Sequence, residues 1–379
     1  MSEFAKPKRR SFRTLLSAIC KRCRPALLRG VHATKADRYA KRYRSAEFAL
    51  ALVVHFLKGM PSLRALQVAF GCNRSLTRTI KLGGISNAQL AQLTHRRPAQ
   101  LWEPLLVELL GLVARQVPSS PLRLMDSTFF PLSARLMSRC WQRHFEPEAA
   151  GIKLTATYDP VQGAPVDWHI STGAGSDAGE GPAVLPDGNI SGHIYLFDRG
   201  FRKYAFYQQL IDRGADFVTL GSVNMRYEVT EELALAPAHE QILCDQVVVL
   251  GSANGRNLMG SPVRRIVLRD GKRELVFVSS LFDLEAAQVC ELYRRRWDIE
   301  VFFRWLKRQI GCLKPLGYSP QAAKHTIFAA LVAYLLVLLM ALTARKRPED
   351  PIRMANALYR LQANLDQPPE TSYLQVLRL

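Results

Sequence analysis

Ile327 to Ala344 is apolar at nearly every one of 18 positions, with Tyr334 and Thr343 as the exceptions, and no other stretch of this chain limits the fold as strongly. A helix that is apolar all round must either cross a bilayer or be enclosed by protein on every side. A chain of 379 residues is long enough to build a core around one helix. A buried central helix is therefore the expectation, and the basic residues on its flanks leave a single membrane span as the alternative. Enclosure requires other helices, and residues 46–117 have the pattern for them. Phe48, Leu52, Val53, Phe56 and Leu57 share one face of a first helix; Leu63 to Phe70 forms a second after the turn at Gly59, Met60 and Pro61; Leu101 to Val113 forms a later one. Two short helices joined by a tight turn are compatible with a helix-turn-helix and equally with an ordinary bundle.

Charge narrows the partner. Lys and Arg number 52 against 32 acids, a net +20 that points to a polyanion. Residues 1–44 carry 14 of these cations against only Glu3 and Asp37, so this segment alone supplies +12. It reads as a basic arm contacting nucleic acid, with a solvated tail or a membrane-surface role as the alternatives. Seven cysteines without a disulfide-scaffold spacing suit a reducing compartment. Cys20 and Cys23 lack a companion pair for zinc, His32 being the one nearby ligand type. The N-terminus has no apolar signal core, and a cytoplasmic, nucleoid-associated location is expected.

Residues 118–223 alternate strand and helix signals. Leu122 to Met125 is apolar except for Arg123 and delivers Asp126, then Ser127 and Thr128. Lys153 to Tyr158 and Val166 to Ile170 read as strands, and Ile194 to Phe197 leads into Asp198, Arg199, Gly200 and Phe201. Lys203 to Arg213 reads as a helix crossing back to a strand at Phe217 to Leu220. That order is ribonuclease-H-like. The glycine-rich stretch from Ser171 to Gly192 lacks a Walker lysine, so a flexible loop is a better account of it than a nucleotide site. Residues 224–282 change character: Gln246 to Leu250, Val263 to Leu268 and Glu274 to Ser279 are rich in β-branched residues and suggest an inserted β subdomain.

Tyr293 to Lys307, reading YRRRWDIEVFFRWLK, then predicts one amphipathic helix. Tyr293, Arg296, Glu300 and Lys307 fall on a stripe roughly 60° wide, with Arg304 close by. Leu292, Ile299, Phe302, Phe303, Leu306 and Ile310 form the opposing apolar arc that must pack on a core. A solvated face on which Glu300 pairs with Arg296 or Arg304 at i,i+4 would add only about 0.2–0.5 kcal/mol per pair.

Tyr, two spacers, Arg, three spacers, Glu, six spacers and Lys is a pattern that resembles the signature closing the catalytic core of the insertion sequence 4 family of DDE transposases. The Asp126-Ser127-Thr128 and Asp198-Arg199-Gly200-Phe201 motifs resemble that family's other two signatures, in the same order, from about Leu122 to Gly317. The resemblance implies an α/β fold: a ribonuclease-H-like catalytic core with an inserted β subdomain and an N-terminal helical domain. The corresponding boundaries are 1–117 for the basic arm and helical DNA-binding domain, 118–223 for the first part of the core and 224–282 for the insertion. Residues 283–345 would be the C-terminal helical part of the core, and 346–379 a polar tail. It further implies a cut-and-paste DNA transposase that cleaves transposon ends and transfers strands into target DNA. Asp126, Asp198 and Glu300 would be catalytic, holding two Mg²⁺ or Mn²⁺ ions, with Asp126 bridging both. Arg199, Tyr293, Arg296, Arg304 and Lys307 would contact double-stranded DNA, and a homodimer on DNA, without a membrane, would pair two ends. In relatives that form a hairpin an aromatic of the insertion can stack on a flipped base; Tyr227 is the large polar aromatic available there, and hairpin formation stays open. A metal-dependent nuclease without strand transfer and a non-catalytic DNA-binding protein are the alternatives. Asp159, Asp167, Asp177 and Asp298 are competing acids, expected to be turn or solvent residues.

Overall fold

A computed structural model describes residues 14–131, 142–143, 146–173, 175–222, 224–235, 240–251, 259–313, 316–317, 319–347 and 350–379. The first 13 residues of the basic segment and Cys140 lie outside them. The chain forms two units, one of residues 1–117 with 306–379 and one of residues 118–305.

The helical unit begins with α1 (Leu15–Thr34), α2 (Ser45–Leu57), α3 (Leu63–Cys72), α4 (Arg74–Ile80), α5 (Asn87–Arg96) and α6 (Glu103–Gln116). Helix α1 corrects the reading of the basic segment as an arm over residues 15–34. Thr14 caps it through a reciprocal box with Ser17, and Leu15, Leu16, Ile19, Cys20, Cys23 and Leu27 are buried. Its cations are largely engaged inside the unit: Arg22 and Arg29 pair with Glu108, and Arg24 pairs with Glu47. The net-charge count missed this because an apolar stripe at helical spacing runs through the basic residues. Cys20 and Cys23 lie on that stripe, and burial pushes the Cys20 thiol up to about 12, which describes an inert core residue.

The second unit carries β1 (Leu122–Pro131), β2 (Gln142–Arg143), β3 (Glu146–Asp159), β4 (Ala164–Thr172), α7 (Asp177–Val184), β5 (Ile194–Phe197), α8 (Tyr204–Asp212) and β6 (Asp216–Leu220). It continues with β7 (Tyr227–Glu232), β8 (Ile242–Leu250), β9 (Val263–Asp270), β10 (Arg273–Ser279), α9 (Ala286–Arg294) and α10 (Trp297–Arg308). The strands form one mixed sheet in the order β2-β3-β1-β5-β6-β10-β9-β8-β7, with β4 on β3. Strands β1, β5 and β6 are parallel. The strands of residues 224–282, expected as a separate inserted subdomain, extend this sheet, because β10 pairs antiparallel with β6. Phe197, Phe206, Tyr207 and Phe217 pack an aromatic core beneath β5 and β6, with the Tyr207 and Phe217 rings stacked at 4.7 Å. A buried ion pair, Arg264–Asp245 at 2.6 Å, ties β9 to β8, and Arg264 also donates to the Leu281 and Leu284 carbonyls ahead of α9.

The chain then returns to the helical unit with α11 (Pro320–Thr343), α12 (Met354–Asn364) and α13 (Thr371–Leu377). Helix α11 contains the apolar run and is, among the described residues, the one helix long and apolar enough to cross a membrane. It is buried almost throughout, packed against α2, α5, α6, α12 and α13. His325 shows how a polar residue is accommodated there. Its Nδ1 accepts from the Trp102 indole at 2.8 Å, its Nε2 donates to the Arg97 carbonyl at 2.9 Å, and burial lowers its pKa to about 4, so it stays neutral. The segment expected as a polar tail is part of this core. Leu361, Leu365, Tyr373 and Leu377 are fully buried, the Tyr373 hydroxyl donates to the Leu336 carbonyl at 2.8 Å, and the Leu15 and Leu16 amides donate to the carbonyls of Gln367 and Leu365.

Gly30 gives a test of α1 as core. A Cβ at this position would lie 2.1 Å from the Leu101 carbonyl oxygen, so the two backbones meet where a side chain has no room. Gly-to-Ala in a helix interior ordinarily stabilises by roughly 0.5–1 kcal/mol. Here Gly30→Ala is expected to destabilise by about 1–3 kcal/mol through overpacking, read as a lower urea midpoint; a raised midpoint would mean that α1 is solvated.

Candidate active site

Two of the three candidate carboxylates are brought together by strand register. The parallel β1–β5 ladder runs from Leu122↔Ile194 to Met125↔Phe197, so the next residues on the two strands are Asp126 and Asp198. Strand β1 does not end at Asp126, as its apolar run suggested, but continues along β3 to Pro131. Ser127 Oγ meets Thr155 Oγ1 at 2.8 Å, and the Ser127 amide donates to Asp126 Oδ1 at 2.8 Å. On β5 the strand does stop. Asp198 Oδ1 accepts the Gly200 amide at 2.8 Å, capping a short 3₁₀ turn over Arg199–Phe201.

The third carboxylate arrives on α10. The single helix predicted from Tyr293 to Lys307 is interrupted: α9 ends at Arg294, α10 starts at Trp297, and the Arg295 and Arg296 amides bond three residues back to Leu292 and Tyr293. The i→i+3 bonding tightens this turn, and pattern spacing cannot report such a change. The apolar arc is as expected, with Ile299, Phe302, Phe303, Leu306 and Ile310 buried and the Phe302 ring stacked on Tyr158 at 5.2 Å. Arg296 connects the acids: its guanidinium reaches Glu300 Oε1 at 2.5 Å and Asp126 Oδ2 at 3.8 Å. Tyr293 stands beside it, with Arg296 5.8 Å from the ring centroid, and burial pushes the phenol up to about 12.

The remaining predicted contacts are dispersed. Arg199 follows Asp198 and is exposed. Arg304 lies over the exposed Trp297 ring at 5.5 Å and does not join the carboxylates. Lys307 is two turns beyond Glu300, about 10 Å along the helix. Tyr227, the candidate stacking aromatic, is covered by the Arg265 guanidinium at 4.6 Å.

Of the competing acids, Asp159 is a structural hub, accepting from Ser119, Arg123 and the amides of Ser120, Val161 and Gln162. Asp167 takes the Thr157 hydroxyl, and Asp298 pairs with Arg295. Asp177 was read as a loop residue, and the structure corrects this. A Cβ on Gly200 would lie 2.9 Å from both Asp177 Oδ2 and Asp198 Oδ1, so the two carboxylates converge over this glycine and a side chain there would displace them. Lys153 Nζ, on β3, pairs with Asp177 at 3.1 Å. Its sequence signal is faint, a lysine sharing a strand face with Thr155 and Thr157.

Such crowding has a measurable electrostatic cost. Asp126 is pushed up to about 7, first by burial and then by the like charges of Asp198 and Glu300, against the opposing pull of the Ser127 amide and Arg296. Asp198 is raised chiefly by burial, with Asp177 adding to it. Among the described residues no three His, Cys, Asp or Glu side chains are arranged to hold an ion as they stand. The donor set nonetheless fits a hard divalent cation: carboxylate oxygens from two adjacent strands and a helix, in a half-buried pocket whose negative charge one guanidinium only partly offsets.

Comparison with known proteins places the chain in a family. The model of the Transposase DDE domain matches residues 118–336, more than half of the chain. A Sinorhizobium fredii protein named as a transposase, y4zB, is 27% identical over 66% of this chain and 70% of its own length. A Geobacillus stearothermophilus protein named as the transposase of insertion sequence element IS5377 is 26% identical over 63% of each. Among solved structures, the piggyBac transposase synaptic complex with hairpin DNA is similar in fold, with a TM-score of 0.50 at 10% identity, over 97% of this chain and 84% of that one.

The raised Asp126 pKa carries a sign. A carboxyl that binds its proton more tightly when folded lowers stability as pH rises from about 4 to about 7, and the penalty is complete above that range. In metal-free buffer at pH 8, Asp126→Asn is therefore expected to stabilise the protein, by on the order of 2–4 kcal/mol, and to have little effect at pH 4. Urea titrations at the two pH values measure this; equal effects at both would remove the electrostatic account.

Proposed function

We propose, from the premise that this chain belongs to the Transposase DDE domain family and is a DNA transposase, that Asp126, Asp198 and Glu300 are its catalytic carboxylates. The observation that carries this reading is the β1–β5 register that sets Asp126 beside Asp198, with Arg296 joining Asp126 to Glu300. The sheet order β4-β3-β1-β5-β6, with β1, β5 and β6 parallel, supports a ribonuclease-H-like core.

The three carboxylates would hold two divalent ions, Mg²⁺ or Mn²⁺, which when bound supply an activated nucleophile and charge neutralisation at phosphorus. The chain's own groups do the rest. Gly200 and Ser127 amides fix the carboxylate orientations, burial on β1 and β5 restricts water, and the cations of α9 and α10 draw the DNA backbone toward the acids. Tyr293, Arg296, Arg304, Lys307 and Arg199 are the proposed phosphate contacts, and the basic helical domain within residues 1–117 is the proposed duplex-binding part. Transposition by cutting and pasting pairs two ends, for which a homodimer on DNA is the simplest assembly.

Replacing carboxylate charge without changing shape tests the assignment. Asp198→Asn and Glu300→Gln are each expected to lower single-turnover cleavage of a terminal duplex by at least about a hundredfold, with end binding kept within a few-fold. Near-wild-type cleavage by either variant in Mg²⁺ rejects that residue.

A further inference from the structure

The Arg296 guanidinium lies within 4.0 Å of both Asp126 and Glu300. Resting on the metal reading above, we propose that its guanidinium is a built-in stand-in cation, displaced jointly by a divalent ion at the carboxylates and a DNA phosphate at the guanidinium, so that metal and DNA bind cooperatively.

Three observations support an exchangeable arginine. Its bonding is lopsided: one arm holds Glu300 at 2.5 Å, the guanidinium otherwise meets Tyr293 and lies 3.8 Å from Asp126, and Nε is shielded from solvent with no hydrogen-bond partner among the described residues. A fully used fork would engage all its donors. It also borders a second environment, a cleft lined by Leu220, Phe277, Tyr293, Arg294 and Trp297. Arg294 at that rim is exposed; its ion pair with Glu291 and the nearby Asp270 offset part of its charge, and an exposed pair of this kind is weak enough to exchange for a phosphate. Finally, Lys153, another cation near the acids, is committed to Asp177 and the Gly175 carbonyl, and Arg199 acts on Asp198, so neither is shown relieving Glu300.

Reciprocity follows from linkage. While Arg296 holds Glu300, a metal must compete with it for the same oxygens and meet its charge. A phosphate that takes the guanidinium removes both obstacles, and a metal that takes the carboxylates frees the guanidinium for phosphate. Each ligand therefore tightens the other by the same factor.

The test titrates Mn²⁺ into the full-length protein by electron paramagnetic resonance, with and without a pre-cleaved duplex bearing the terminal repeat that flanks the coding sequence. Wild type should bind Mn²⁺ about tenfold more tightly with DNA. Arg296→Met should bind Mn²⁺ about tenfold more tightly than wild type without DNA, and DNA should then add less than about threefold. Arg296→Lys separates geometry from charge: an ammonium keeps the charge but cannot bridge two carboxylates, so it too should exceed wild type without DNA. Thermal unfolding in EDTA identifies which variants are folded; if Arg296→Met is not, the lysine variant carries the test. A DNA effect of equal size in wild type and Arg296→Met, or metal affinity in Arg296→Lys equal to wild type, overturns the stand-in role. Mn²⁺ binding that is absent in wild type, or unchanged by Asp126→Asn, overturns instead the metal reading on which it rests.

Discussion

The parallel pairing of β1 with β5 is the interaction on which the rest of the second unit depends. It is a short ladder, four residue pairs long, and its strands are far apart in sequence. A slip of one residue would turn Asp126 or Asp198 to the opposite face and bury a charge among Phe197, Phe206 and Phe217. The aromatic cluster beneath β5 and β6 holds that register, and its contribution to function is indirect: it fixes which pair of residues follows Met125 and Phe197. Helix α10 is positioned by the same logic, with Phe302 on Tyr158 setting the height at which Arg296 and Glu300 stand beside Asp126.

Crowding carboxylates works against folding, and the sequence makes no local provision for it. Asp126, Asp177, Asp198 and Glu300 carry more negative charge than Arg296 and Lys153 offset, and burial sharpens the imbalance. The stability lost here is made up elsewhere, chiefly by the apolar cores of both units. The Arg123–Asp159 network, far along the strands from the acids, shows the contrasting case of a buried charge with its hydrogen bonds satisfied.

Much of this arrangement was legible in the sequence because its periodicities are local. The strand from Ile194 to Phe197, the apolar arc of α10 and the enclosure of the Ile327–Ala344 run follow from patterns within a few turns or residues. What stayed hidden was long-range or subtle. The basic segment looked like an arm because charge was counted over residues 1–44, whereas Arg22, Arg24 and Arg29 find their acids on α6 and α2. Asp177 looked like a loop residue because its neighbour Asp198 is 21 positions away in sequence and the two converge over Gly200. The break between α9 and α10 involves a one-residue change in hydrogen-bond span, which leaves side-chain spacing almost unaltered.

The enclosure of α11 by helices from both ends of the chain has a consequence for synthesis. Helices α1 to α6 leave the ribosome first, and the two helices that complete their core, α12 and α13, come last. Between them lie the roughly 190 residues of the sheet unit, which at typical elongation rates take about ten seconds or longer to make. Through that interval the apolar faces of α2, α5 and α6 have no α11 to cover them, and a nascent chain stalled before Tyr373 cannot close its core. The helical unit is thus the last part to become native, and aggregation during translation, more than unfolding afterwards, is the hazard this topology sets for the cell that makes it.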